Sequence, residues 1–304
     1  MNPRPRAAFT LFQLLVLLAL LALLFSLLLP AVAKVRQAAG RNASQNNMKQ
    51  LALACHNYHD TYQKFCPGNN DNNFSAAAYL LPYIEQENVY KQIDFKKPIS
   101  DKANETARQL IIKTFLSPQD SRPQVTEDSA ATNYLFSAGS KYALADNDGV
   151  FYQNSGVKFQ EITDGTSNTI LAGETLKGDG GTKAEDVRRQ HVKLSKDALT
   201  ELKDETGVDD FKNNKNIAGD RCASWIDGRF LQGTFTCTRL PNDAKPDATC
   251  AGLGGLSALR CEEGKNVNIA MCDGSVRVLN PKVSIETWKA LATRSGGEVI
   301  GNDF

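Results

Sequence analysis

No charged residue occurs between Ala7 and Ala33, in a chain where 23% of residues are Asp, Glu, Lys or Arg. The sequence also lacks any Cys-x-x-Cys pair, which removes the zinc ribbon and the thioredoxin-type redox site. It has no Gly-x-Ser-x-Gly elbow, no phosphate loop and no His-Glu-x-x-His helix, so no familiar motif marks it as an enzyme. Net charge is nearly absent too, with 35 basic residues against 34 acidic ones, scattered along the chain. That balance offers no basic footprint for nucleic acid or for an anionic membrane surface. Histidine is scarce at three residues. His56 and His59 stand one helical turn apart with no third ligand near, which argues for packing and capping rather than zinc.

What is present begins with that uncharged run. Arg4 and Arg6 precede it and Lys34 and Arg36 follow. It is long enough to cross the roughly 30 Å hydrocarbon core as a helix, whereas the apolar part of a secretory signal runs only about 7–15 residues. The rival is a cleavage site at "AVA" (31–33), which would leave Lys34 as the new N-terminus. The short basic tail favours a cytoplasmic N-terminus and an exported remainder.

The first apolar residues, "AAFTLFQLL", resemble the N-terminal signature of type IV prepilins and pseudopilins. The resemblance implies a leader over 1–8, cleavage between Ala8 and Phe9 by a prepilin peptidase, and methylation of the Phe9 amine. It places Gln13 where the family usually carries an assembly glutamate, and Ala8 where it usually has glycine. Pro30 falls where many pilins have a stem-kinking proline. Loss of the glutamate removes a charge pair with a neighbouring subunit's terminal amine, and it is typical of tip or minor subunits.

A second resemblance covers most of the remainder. "NNMKQLALACHNYHDTYQKF" (46–65), "LLPYIEQENVYKQIDF" (80–95), "TNYLFSAG" (132–139), "ITDGTSNTILAGET" (162–175), "SWIDGRF" (224–230), "NVNIAMCDGSVRVL" (266–279) and "TWKALATRSGGEV" (287–299) are similar, in order and spacing, to DUF1559. This is a bacterial pilin-like family with an H-X9-DG motif, whose profile has also been labelled solute-binding-like. The namesake histidine would fall at Glu263 and is absent. Family cysteines near "SQNN" and "FLSPQD" are replaced by Ser44 and Ser117.

From the residues themselves, Met48, Leu51, Cys55, Tyr58, Tyr62 and Phe65 recur at three- and four-residue steps, one apolar stripe on a helix. The expected stem runs over 9–64, about 84 Å long, with 9–33 in lipid and 34–64 carrying the domain. Gly40 and "RNASQNN" weaken its centre. Downstream, 65–304 is expected to be a loop-rich domain. "VNIAMCDGSVRVL" reads as a hairpin with a two-residue Asp273-Gly274 turn, Cys272 opposite Ser275, and Ile269 and Met271 beside Val276 and Val278. Asp164, Gly165 and Asn168 mark a turn before a strand at Thr169–Ala172, and Asp227-Gly228 marks a second hairpin. The charged run 184–216 reads as an inserted, exposed helix. The fold class is therefore α+β, a long stem helix packed on an antiparallel sheet.

Seven cysteines (Cys55, Cys66, Cys222, Cys237, Cys250, Cys261 and Cys272) suit disulfides in an oxidising compartment, with at least one left over. A Cys55–Cys66 staple is expected at the helix end. "DNDG" makes Asp146 and Asp148 calcium candidates, but as an EF-hand the loop fails at its first position, Leu144, and its twelfth, Ser155. The favoured function is a structural pilin-like or pseudopilin-type subunit of a type II secretion or type IV pilus-like machine, assembling with other such subunits. It would be a single-pass protein of the cytoplasmic membrane, with its domain in the periplasm or at the cell surface and no cofactor. The alternative is an anchored solute- or carbohydrate-binding module, with Tyr134, Tyr152 and Trp225 as candidate surface.

Overall fold

The computed structural model describes residues 11–122, 124–202, 211–262, 266–280 and 282–301. The chain divides into two compact units, Met1–Asn42 and Ala43–Phe304. Helix α1 (Leu11–Tyr62) contributes to both and includes Pro30 and Gly40. In the first unit the large apolar side chains from Leu11 to Leu29 lie exposed. A lone helix of Leu, Ala, Phe and Val has good local propensity but no second surface to bury them against.

In the second unit α1 turns a stripe inward. Ser44, Met48, Leu51, Ala52, Cys55 and Tyr58 are buried, so the expected three- and four-residue periodicity holds this far. Gln63 then takes a left-handed φ of 57°, and its N–H closes on the His59 carbonyl at 2.6 Å. The helix ends at Tyr62, itself 52% exposed, and Phe65 returns to the core beyond the turn. Short helices α2 (Ala76–Leu80), α3 (Glu87–Tyr90) and α4 (Glu105–Gln109) add Ala78, Leu80, Val89 and Ala107 to the same core.

Among the described residues nine strands follow: β1 (Tyr134–Gly139), β2 (Ile170–Glu174), β3 (His191–Leu194), β4 (Ile217–Ala218), β5 (Thr234–Thr236), β6 (Asp247–Cys250), β7 (Gly255–Leu256), β8 (Val267–Met271) and β9 (Val276–Leu279). They form two sheets, ordered β5-β1-β2-β8-β9 and β4-β3-β6-β7. The α+β class is as expected, but neither sheet is purely antiparallel, since β5 runs parallel to β1 and β6 parallel to β3. Along β8 the side chains alternate between two cores. Ala270 faces the core that holds Met48, Leu51 and Cys55. Val267, Ile269 and Met271 face another, closed by Trp288 of helix α6 (Ile285–Ala290).

The β8–β9 hairpin forms one residue out of the expected register. Ala270 pairs with Val276 and Asn268 with Val278, while the Met271 N–H donates to the Ser275 carbonyl at 2.8 Å. The loop is thus Cys272-Asp273-Gly274, with Gly274 at a left-handed φ of 83°, the three-residue hairpin with glycine in its bulge position. A one-residue slip moves every side chain to the opposite face. Val276 therefore joins Ala270 and Cys272 on the α1 side, and Val278 is not beside Met271.

Two further expectations are corrected. Residues 184–216 are not an exposed helix: they supply β3, whose Val192 is fully buried, and the one-turn helix α5 (Ala198–Glu201), with 203–210 outside the described residues. "SWIDGRF" is not a hairpin. Trp225 and Ile226 are buried in a turn, and the Asp227 carboxylate chelates Arg229 at 2.6–3.1 Å instead.

Gly228 packs backbone to backbone. A Cβ there would lie 2.6 Å from the Gly68 carbonyl oxygen and 2.8 Å from Asn69 Cα. At Gly274 the nearest heavy atom would be His56 Cε1 at 3.4 Å, so the cost there is only the left-handed backbone, about 1–2 kcal/mol. In urea denaturation of the full chain in detergent, Gly228→Ala should lose more stability than Gly274→Ala, and Gly274→Asn should lose least.

Candidate functional site

Ala8 and Phe9 lie outside the described residues. Gln13 and Pro30 sit on the exposed apolar part of α1. Its most apolar window has a mean hydropathy of 2.9 and none of it is buried. By length and composition this helix can serve as a membrane anchor or as a signal sequence.

The Asp-Gly motifs separate into two places. Asp164 accepts from the N–H groups of Gly296 at 2.7 Å and Gly297 at 2.9 Å, and Asn168 bonds back to the Asp164 carbonyl at 3.1 Å. The Asp273 N–H donates to Thr166 and that of Cys272 to Thr169, both at 2.9 Å. Arg294 donates to the carbonyls of Asn147 and Gly149. Loops 146–149 and 164–168 are thereby tied to the segment 293–297, and loop 272–274 to loop 164–168. Asp227 and Gly228 stand apart, against Gly68 and Phe74. In each case the carboxylate binds its own protein's groups, so the Asp-Gly pairs work as turns.

Asp148 is likewise spent on Ser140, through the backbone N–H at 2.7 Å and the hydroxyl at 2.8 Å. No group of three or more His, Cys, Asp or Glu that could hold a metal occurs among the described residues, Asp146 and Asp148 included. The calcium candidate is therefore not supported. His56 reaches the Cys272 carbonyl at 2.8 Å, and His59 accepts from the Phe159 N–H at 3.3 Å. Burial lowers the His59 pKa, which suits a neutral acceptor.

All seven cysteines are free thiols, so the Cys55–Cys66 staple is not formed. Cys66 instead donates to the Ala76 carbonyl at 3.8 Å. Ser44 and Ser117 reach one polar cluster. Ser44 meets the Tyr134 hydroxyl at 2.9 Å, Ser117 donates to Glu174, and Asn268 links Glu174 to Gln45. Tyr134 and Trp225 are buried rather than available as a binding surface. The Trp225 indole donates to the Leu110 carbonyl at 3.0 Å, while Tyr152 is half-buried under Arg294.

The profile described as "Protein of unknown function (DUF1559)" matches residues 33–286. The chain belongs to the DUF1559 family. No curated protein and no solved structure matches it. The DUF1559 match spans 184–216, and the apolar run before residue 33 lies outside it. Glu263, at the namesake histidine position, is outside the described residues.

Sequence reasoning missed the charged interior of this DUF1559 domain. Asp247 on β6 is wholly buried and paired with Arg221 at 2.6 Å and Arg260 at 2.7 Å, both also buried. Arg221 continues to the Thr175 hydroxyl at 2.8 Å, just past β2, so the network joins both sheets. Burial alone would raise the Asp247 pKa, but Arg260 and Arg221 outweigh it and hold it low. A parallel set joins Arg189 to Asp120 at 3.0 Å and to Glu262 at 2.5 Å. The signal available beforehand was three arginines, Arg189, Arg221 and Arg260, each within three residues of an acidic one, which reads equally well as solvated surface.

Beside this network is an open cleft of about 280 Å³, with Arg108, Asp128, Ser129, Asp220 and the Asp227–Arg229 pair in its wall. Asp220 bonds Lys193 at 2.8 Å and faces His191 Nε2 at 3.3 Å. His191 is buried, and burial pulls its pKa down to about 4, against the opposing pull of Asp220.

Replacing Arg221 by Met leaves Asp247 underpaired and should cost about 3–5 kcal/mol in chemical denaturation. The His191 titration gives a second expectation. The unfolded ring takes its proton near its ordinary pKa of about 6.5, and the folded ring only near 4. Between those values the unfolded chain binds more protons, so stability falls as pH drops, by on the order of 3 kcal/mol. Burial raises the Asp220 pKa, but His191 and Lys193 lower it overall, which extends the loss to more acid pH. Melting curves from pH 7 to 4 should show this slope in the parent and a flatter one in His191→Gln.

Proposed function

We propose that the chain is a membrane-anchored, exported pilin-like subunit that assembles through its N-terminal helix. The observation that carries this reading is the pairing of an uncharged helical surface, exposed from Leu11 to Leu29, with a separately compact domain from Ala43 onward. That surface needs lipid or other helices, because about 25 cal/mol per Å² is forgone wherever apolar area stays in water. The "AAFTLFQLL" signature supports helices of a pseudopilin-type assembly as the eventual partners, with Gln13 giving a minor or tip position. On this reading the N-terminus is cytoplasmic, the domain lies in the periplasm or at the cell surface, and the chemistry done on the chain is cleavage after Ala8 and methylation of Phe9. The work is structural rather than catalytic.

The deciding measurement is N-terminal sequencing and intact mass of the protein extracted from its own membranes. A chain beginning at Phe9 with a methylated amine is expected. A start at Lys34 would make it a released soluble protein, and a start at Met1 a plain anchor; either result ends the pilin reading. Leu20→Arg should also impair membrane insertion, by about 3 kcal/mol for a central arginine, measured as the carbonate-extractable fraction.

A further inference from the structure

The cleft of about 280 Å³ in the exported domain carries polar groups that the fold does not use. Arg108 donates through Nε to the Asp128 carbonyl at 3.1 Å and through Nη1 to the Ile99 carbonyl at 3.2 Å, which leaves Nη2 uncommitted. The first of these bonds sets Arg108 directly against residue 128. Among the described residues, however, the Asp128 carboxylate forms no ion pair with Arg108 or with any other side chain. Asp128 is exposed and Arg108 partly so, and an exposed ion pair gains little over two solvated charges, so both groups stay available to a ligand that brings its own opposite charges. The hydroxyls of Ser100, Thr126, Ser129 and Ser224 also line the cleft with no bond to another described residue.

The other charges of the wall are already matched. Arg229 is chelated by Asp227, and Asp220 is bound by Lys193. Among the described residues, what remains is one cation, one anion, several hydroxyls and an apolar floor of Ile99, Ala223 and Ile226. Small-molecule sites run from about 300 to 1,000 Å³, so this cleft sits at the small end. Among the described residues no aromatic ring lines it, which removes the stacking platform through which a sugar face is usually held.

We infer that the cleft binds a small zwitterion of amino-acid size, its carboxylate on Arg108 and its ammonium on Asp128. The hydroxyls accept and donate around the ligand, and the apolar floor takes a short side chain. Guanidinium and carboxylate groups supply the charge-assisted bonds, the strong class of hydrogen bond. This site does not rest on the assembly reading: a chain that never polymerises could still hold the ligand, and a chain that polymerises could lack it.

The test is equilibrium dialysis of the full-length protein in detergent against the standard free L-amino acids. The best binder is then repeated as its methyl ester and as its N-acetyl derivative, with glucose, galactose and N-acetylglucosamine in parallel. Saturable binding is expected for at least one amino acid, weakened about tenfold or more by removing either ligand charge, by Arg108→Gln or by Asp128→Asn. If Arg108→Gln fails to fold, for want of its two carbonyl bonds, Asp128→Asn still decides, since that carboxylate holds nothing in the fold. No saturation up to roughly 10 mM by any amino acid overturns the proposal. So does binding indifferent to Asp128→Asn, and so does binding of the sugars alone.

Discussion

Where the two sheets meet, a carboxylate with no exposed surface must be neutralised from within. Asp247 would be very costly to bury alone, and its two oxygens are met by separate arginines, one reaching Oδ2 and the other Oδ1. That requirement organises the neighbourhood. Arg221 must leave β4 toward β2, and Arg260 must leave β7 to collect the carbonyls of Asp243 and Lys245 at 2.6 Å each. The Ala258 N–H adds a third bond to the same carboxylate. The strands of the smaller sheet have only two to four residues, too short to hold together by ladder bonds alone. Their arrangement makes sense as the scaffold of this ionic knot, which then fastens them to the end of β2.

This explains which parts of the fold were legible beforehand. Elements governed by local rules were visible: the uncharged run, the helical stripe from Met48 to Tyr58, the strand that follows the Asp164 turn, and the hairpin around Asp273. The DUF1559 resemblance rested on those same segments, and the family match agrees with it. Elements governed by long-range pairing were not visible. In 184–216 the charged residues look like a solvated helix until Arg189 finds Asp120, nearly seventy positions away, and Val192 finds Ala248 across β6. The hairpin register failed by one residue because Asp-Gly fits both a two-residue turn and the last two places of a three-residue loop. Only the packing of Cys272 and Val276 toward α1 chooses between them.

The candidate sites divide the same way. Asp-Gly pairs were read as turns and are turns, with the added finding that the Asp164 turn meets the Asn147–Gly149 loop at the segment from Arg294 to Gly297, while the Asp273 turn leans on the Asp164 loop. The cleft could not be anticipated, since Arg108 and Asp128 come together through a side-chain bond to a backbone carbonyl, for which sequence has no signature. The pair of serines at family cysteine positions proved informative in a different manner. Ser44 and Ser117 both enter the Tyr134–Glu174 cluster, so hydrogen bonds now join the helix and the 117 loop to the sheet where the resemblance implied sulfur.

The free thiols have a consequence for how such a domain would age in any oxidising surroundings. Six of the seven are buried and the seventh is half-buried. Burial raises the pKa values of the six buried ones, that of Cys222 to about 11 despite the arginine beside it, and a protonated thiol is a poor nucleophile. Folded, the domain can sit among oxidants with its sulfur chemistry silent. Opened even briefly, it would release several thiols of ordinary acidity, which oxidise into mismatched bridges and bar the way back. Endurance in that setting is set by how rarely the fold opens, a lifetime rather than an equilibrium constant.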